Sequence, residues 1–138
     1  MCDYTLGLEY EKIEGKEEFC VKGAGDFKGD ILTVPATYKG LPVTKIGDYA
    51  LENIQTKKIV LPDTVRDIGY QAFRGTTAEE IVMPKYAETL GGAAFYGCYY
   101  LEKIVLPEGL KEIGASTFYM CFALREIVIP DSVVEIGY

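Results

Sequence analysis

The sequence predicts a solenoid, mainly β, in which short repeating units are laid coil upon coil behind an N-terminal β-hairpin. Three observations lead there. Pro62, Pro84, Pro107 and Pro130 follow one another at 22, 23 and 23 residues. Gly47, Gly69, Gly91, Gly114 and Gly137 keep the same step, at 22, 22, 23 and 23. Four places after each of the first four glycines stands a large apolar residue: Leu51, Phe73, Phe95 and Phe118. A unit of this length cannot bury its apolar edge alone and does so against the copies on either side.

The first thirty residues lack the repeat and are assigned to a cap; residues 31–138 hold about four and a half units, the last incomplete. Leu6, Leu8 and Tyr10 alternate with small or charged residues, Glu14-Gly15-Lys16 reads as a turn, and Phe19 and Val21 resume the alternation. That is a hairpin pattern, suited to covering the open end of a solenoid. The glycine-rich stretch from Gly23 to Gly29 lacks the Gly-Lys-Ser/Thr ending of a phosphate-binding loop and is read as turn chemistry.

One strand per unit comes next: Leu32-Thr33-Val34, Ile59-Val60-Leu61, Ile81-Val82-Met83, Ile104-Val105-Leu106 and Ile127-Val128-Ile129. Side-chain direction alternates along a strand, so the outer residues of each triplet point inward and the middle one outward. Proline then closes the strand, because it has no N–H for the ladder. A five-residue insertion separates Pro35 from Gly47. In the second half of each unit, pairs such as Val65 with Ile68 and Leu110 with Ile113 precede the glycine, which is expected to supply a backbone angle other residues resist. A short helical turn is expected to follow and carry the core ring.

Composition narrows the function classes. The chain has 138 residues, 49% hydrophobic, enough for one real core. Fourteen Lys and Arg against 21 Asp and Glu leave a net charge of -7. A nucleic-acid or anionic-membrane binder must gather cations, so neither partner is expected. No apolar run approaches the roughly 18 to 20 residues that span a bilayer. With no histidine, a Cys/His or Ser/His nucleophile pair cannot be built, and no cofactor, metal site or catalytic residue is expected.

The pattern Ile-x-Leu-Pro-x-x-x-x-x-Ile-Gly-x-x-x-Phe-x-x-Cys-x-x-Leu-x-x-Ile, carried by Ile104 through Ile127, resembles the BspA-like class of leucine-rich repeat. Asp30 to Pro35 followed by Gly40-Leu-Pro-Val-Thr-Lys-Ile-Gly47 resembles the entry into such arrays. The likeness covers about four-fifths of the chain. It implies a curved right-handed leucine-rich-repeat solenoid, of a kind found in bacterial surface proteins that adhere to host or matrix proteins. Departures are local: the units beginning at Pro42 and Pro62 are one residue short, and Ile54 or Thr76-Thr77 stands where a Cys is expected. The first ten residues show no secretion signal and no wall anchor is visible. The location therefore stays open between the cell surface the resemblance implies, the cytoplasm, and an excised piece of a longer protein.

Candidate binding residues follow from stacking. Val60, Val82, Val105 and Val128, after Thr33, form an outward row that is either β-propensity alone or an apolar binding stripe on a concave sheet. Lys58, Glu80, Lys103 and Glu126 run beside it with alternating sign, as do Arg66, Glu88 and Lys111, and are read as solvated ladders. Eleven tyrosines and no tryptophan is a skewed usage. Tyr96 with Tyr119 and Tyr99 with Phe122 occupy equivalent positions and make an aromatic patch of interface-forming types, joined by Tyr100; the other reading has the rings fill the core, above all Phe122. Cys98 and Cys121 stack on adjacent coils at about 4.8 Å. That is within disulfide range, so they are either bridged or buried free thiols.

The function expected is a module that binds another protein, in adhesion or partner recognition. The alternative is a structural or assembly unit, self-associating through an open C-terminal end where Ile127 and Ile129 are unsealed, or one segment of a longer array.

Overall fold

A computed structural model describes residues 7–137; Cys2, Leu6 and Tyr138 lie outside them. Twelve strands occur among the described residues, and the hydrogen-bonding pattern sorts them into two sheets on different sides of one coil. The small sheet contains β3 (Ile31–Thr33), β6 (Lys58–Val60), β8 (Glu80–Val82) and β10 (Lys103–Ile104), all parallel and in register. These are the strands placed before each proline. The large sheet contains β1 (Glu9–Lys12), β2 (Phe19–Gly23), β4 (Thr37–Tyr38), β5 (Leu41–Ile46), β7 (Asp67–Ile68), β9 (Thr89–Leu90), β11 (Glu112–Ile113) and β12 (Glu135–Ile136). The residues before each glycine, expected only to turn the chain back, therefore pair as well: Lys45 with Asp67, Asp67 with Thr89, Thr89 with Glu112, and Glu112 with Glu135.

The hairpin forms from β1 and β2, and Tyr10 faces Val21 across it. Its second strand then pairs parallel with β5, which extends the large sheet. The five-residue insertion is a second hairpin, β4 with β5, reversed by Lys39 and Gly40 at φ 51° and 80°. Tyr38 on it stacks on Tyr10 at 3.9 Å and meets Phe19 edge-on at 5.0 Å. The two hairpins are thus joined by rings.

No helix forms among the described residues, and backbone geometry gives the reason. After each glycine the chain places a residue in the left-handed region twice. Tyr49, Gln71, Ala93 and Ser116 hold the first such place, at φ 52° to 59°; Asn53, Gly75, Gly97 and Met120 hold the second, at φ 58° to 71°. Alternate N–H groups are thereby turned toward the following coil. Gln71, Phe73 and Gly75 donate to the carbonyls of Gly92, Ala94 and Tyr96, while Ala72 and Arg74 donate within their own turn to Gly69 and Gln71. A helical turn would use all of these groups internally and leave the coils unlinked.

The core lies between these walls. Ile59, Ile81 and Ile104 point in from the small sheet and Ile46, Ile68, Leu90 and Ile113 from the large one, all buried. Phe73, Phe95 and Phe118 stack through the centre at 5.4 and 5.5 Å, nearly parallel. The fifth triplet departs from this plan. Ile127-Val128-Ile129 forms no strand, and Ile129 is 40% exposed. Among the described residues no coil lies on its far side, so its inward side chains are covered from one side only.

The repeating glycines do a different job from the one expected of them. None of Gly47, Gly69, Gly91, Gly114 and Gly137 has positive φ. Each instead lies against the backbone of the preceding coil: a Cβ on Gly91 would fall 2.7 Å from the Gly69 carbonyl carbon and from the Tyr70 nitrogen. Their N–H groups continue the stacking, Gly91 donating to Ile68 and Gly114 to Leu90. Gly97 supplies the contrast, with φ 71° and open space where its Cβ would stand. Gly91→Ala should therefore cost about 3 kcal/mol by forcing two backbones apart, whereas Gly97→Ala should cost only about 1 kcal/mol of left-handed strain. Urea unfolding of both variants checks the order; equal costs would contradict the close-approach account.

Candidate functional site

The outward valines sit on the small sheet, and their exposure changes along it. Val60 pairs in register with Val82 and is half-buried. Val82 is 37% exposed and Val105 71%, the latter just beyond the end of β10. Val128 is exposed too, but stands outside the sheet. The row is thus a two-residue apolar centre at Val82 and Val105, with Val60 half-covered on one side and Val128 on an unpaired segment on the other.

An open groove of about 580 Å³ lies over this centre, reaching across β8 and β10 to the loops after Pro84 and Pro107. Tyr86 stands on its wall with its ring more than half exposed. The sequence contains the signal for it in the column two places after each proline, where Thr64, Gly109 and Ser132 are small and Tyr86 is large. Gly109 on the next coil, at φ 97° with nothing near its Cβ position, leaves the space beside that ring open. Lys85 lies 5.7 Å from the ring centre of its neighbour Tyr86.

Charges rim the groove. The Glu80 carboxylate stands between Lys58 at 3.7 Å and Lys103 at 4.0 Å, so the alternating column forms at those three coils. Arg66 and Glu88, both exposed, are 3.9 Å apart in the second column.

The aromatic patch lies on the turn side of the coils. Tyr96 and Tyr119 are 5.3 Å apart, and Tyr99 and Phe122 stack at 5.5 Å with planes 4° apart. The Arg74 guanidinium sits 5.7 Å over the Tyr96 ring, extending the column by one coil. Tyr99, Tyr100, Tyr119 and Phe122 are all exposed, Phe122 by 73%. The core-filling alternative is therefore wrong for Phe122: its position follows the turn, where the inward slots belong to Phe118 and Cys121. The patch and the groove line different stretches of the coil, so they are two surfaces.

Behind the patch, Cys98 and Cys121 are free thiols on adjacent coils. Cys98 donates its S–H to the Phe73 carbonyl and Cys121 to the Phe95 carbonyl, each at 3.1 Å. The contact between the two thiols, with burial, pushes Cys98 far above its ordinary range, and the same contact holds Cys121 below it. Cys20, half-buried on β2, is raised by desolvation. Among the described residues no group of three or more Cys, Asp or Glu could hold a metal ion, and no helix is long and apolar enough to cross a membrane.

Parallel coils closed by two sheets, with an apolar groove on one face and ring columns on a turn, define a β-solenoid repeat module. The BspA type leucine rich repeat region matches residues 36–138 in six copies, and the chain belongs to that family. No curated protein sequence matches it. Among solved structures it is similar to the leucine-rich repeat protein of T. pallidum, at 31% identity and TM-score 0.91, over 95% of this chain and 62% of that one. It is also similar to a leucine-rich repeat protein from Bacteroides ovatus, at 32% identity and TM-score 0.83, over 95% of this chain and 36% of that one. A leucine rich cell surface protein from Faecalibacterium prausnitzii shares the fold at 23% identity and TM-score 0.77, over 94% and 37% of the two chains. The chain thus spans less than two thirds of each of these structures.

The rim charges should matter little to stability, because they are at least a third exposed. Glu80→Gln should lower stability by less than about 1 kcal/mol, with the difference gone in 1 M salt. A larger loss, or one that salt leaves unchanged, would show that Glu80 does more than close a solvated ladder.

Proposed function

We propose that this chain is a protein-recognition module that takes its partner in the groove over Val82 and Val105. The observation carrying this reading is the groove itself: exposed apolar side chains on a rigid sheet, walled by Tyr86 and rimmed by charges of both signs. Interfaces are built in that manner, with an apolar centre, an aromatic anchor and a polar rim. Val82, in a strand paired on both sides, needs little reordering on binding, which spares entropy. The aromatic patch at Tyr96, Tyr99, Tyr119 and Phe122 serves as a second contact surface in the same module. Adhesion is the setting we infer for such a module; the Faecalibacterium neighbour's description as a cell surface protein is in keeping with it.

A second reading rests on a separate observation. Ile129, Val134 and Ile136 are exposed together on the last coil by 40%, 83% and 59%, beside the outer edge of β12. Apolar side chains beside a strand edge that pairs with nothing among the described residues favour end-to-end self-association.

Two measurements separate the readings. Val82→Asp with Val105→Asp should abolish capture of a partner by the immobilised chain, and Tyr119→Ser should weaken it, with the unfolding midpoints of the single Val105→Asp and Tyr119→Ser variants unchanged because those side chains are 71% and 59% exposed. Capture that survives all three substitutions would reject both surfaces. Light scattering over a range of concentrations tests self-association: mass should rise with concentration, and Ile136→Asp should return the chain to a monomer. A constant monomer mass excludes the assembly reading.

A further inference from the structure

The two paired thiols have no part in the recognition reading, yet they are unusually well placed for chemistry. Gly97 donates to the Tyr119 carbonyl at 2.9 Å, which sets position 97 against position 120 and so Cys98 against Cys121. The flanking side chains show the same register, with Tyr96 over Tyr119 at 5.3 Å and Tyr99 over Phe122 at 5.5 Å. Both thiols point to the same side, each toward the carbonyl of a core phenylalanine one coil back. Backbones stacked at about 4.8 Å fall within the Cα separation a disulfide accepts. The coils before this point hold Ile54 and Thr76 at the equivalent places, so the arrangement belongs to this one pair of coils.

The two sulfurs also differ in access. Cys98 is fully buried, whereas Cys121 is only half-buried. An external oxidant therefore reaches Cys121 first, and that thiol is also the one whose ionisation its neighbour favours. The proximal buried thiol is then positioned to displace the oxidant.

We propose that Cys98 and Cys121 form a redox-sensitive clamp that ties the coil of Gly91 to the coil of Gly114. The oxidant is a low-molecular-weight disulfide, RSSR. The Cys121 thiolate attacks one sulfur of RSSR, forming a mixed disulfide and releasing RSH. The Cys98 thiolate attacks the Cys121 sulfur of that mixed disulfide, closing the protein disulfide and releasing a second RSH. Two electrons and two protons pass from the thiol pair to RSSR. Because Cys98 is sealed from solvent, which disfavours its thiolate, the second step is the slower one. Closure ties adjacent coils directly behind the Tyr99–Phe122 stack and opposes fraying of the last coils. It does not depend on what those rings bind.

Incubation of the full chain with oxidised glutathione tests this without substitution. Peptide mapping without reductant should recover a Cys98–Cys121 linked peptide, preceded in time by a glutathione adduct at Cys121. Tm should rise by about 5 to 10 °C, and dithiothreitol should reverse both changes. Recovery of Cys98 and Cys121 as alkylatable thiols after equilibration, or a glutathione adduct that persists at Cys121, overturns the proposal. A bridge that forms without raising Tm overturns the clamp.

Discussion

The close approach of backbone to backbone at the glycine column is the constraint on which the rest of this structure depends. Gly69, Gly91 and Gly114 lie so near the preceding coil that a single methyl group would collide with main-chain atoms. Main-chain atoms cannot rotate away as a side chain can, so the collision would open the stack. Closeness at this corner brings Ile46, Ile68, Leu90 and Ile113 into one buried row and lets the N–H groups of the large sheet reach their acceptors. The phenylalanine stack through the centre, at 5.4 to 5.5 Å, reports the same spacing in side chains.

The left-handed residues provide the second condition. At Gln71 and Gly75, or Ala93 and Gly97, they divide the N–H groups between the local turn and the neighbouring coil. The turn becomes a third hydrogen-bonded wall, and every wall contributes to coil-to-coil cohesion. The groove over Val82 and Val105 draws on the same cohesion, since its floor rises from the paired strands β8 and β10 and its wall from the loops that follow them. The same stacking aligns Arg74, Tyr96 and Tyr119 along one turn, and Tyr99 with Phe122 along another.

Stacking also sets how far a residue's chemistry depends on its neighbours. Cys98 has coils on both sides and is sealed; Cys121, one coil further on, is only half-buried although it occupies the same position in the repeat. Val82 and Val105 differ in the same way, as do Leu106 and Ile129. Equivalent letters thus take different environments according to their distance from the last coil. A repeat pattern alone does not contain that gradient.

The residues by themselves determined the architecture. Prolines and glycines at a constant step, with alternating Ile-Val-Leu triplets, specify stacked coils, because period-two burial and strand termination are local physics that each unit carries in its own letters. Two-residue strands such as Thr89–Leu90 were not legible, since so short a segment has no periodicity and pairs only because the coils beside it present matching groups. The role of the glycines was likewise hidden: small size and backbone freedom look identical in sequence, and only the distance to the next backbone separates them. Tertiary structure also decided the surfaces, drawing Tyr86 into the groove, leaving Val60 half-covered and Val128 unpaired, and turning Phe122 outward. Exposure is a property of what lies across a gap, and what lies across the gap is some two dozen residues away in the chain.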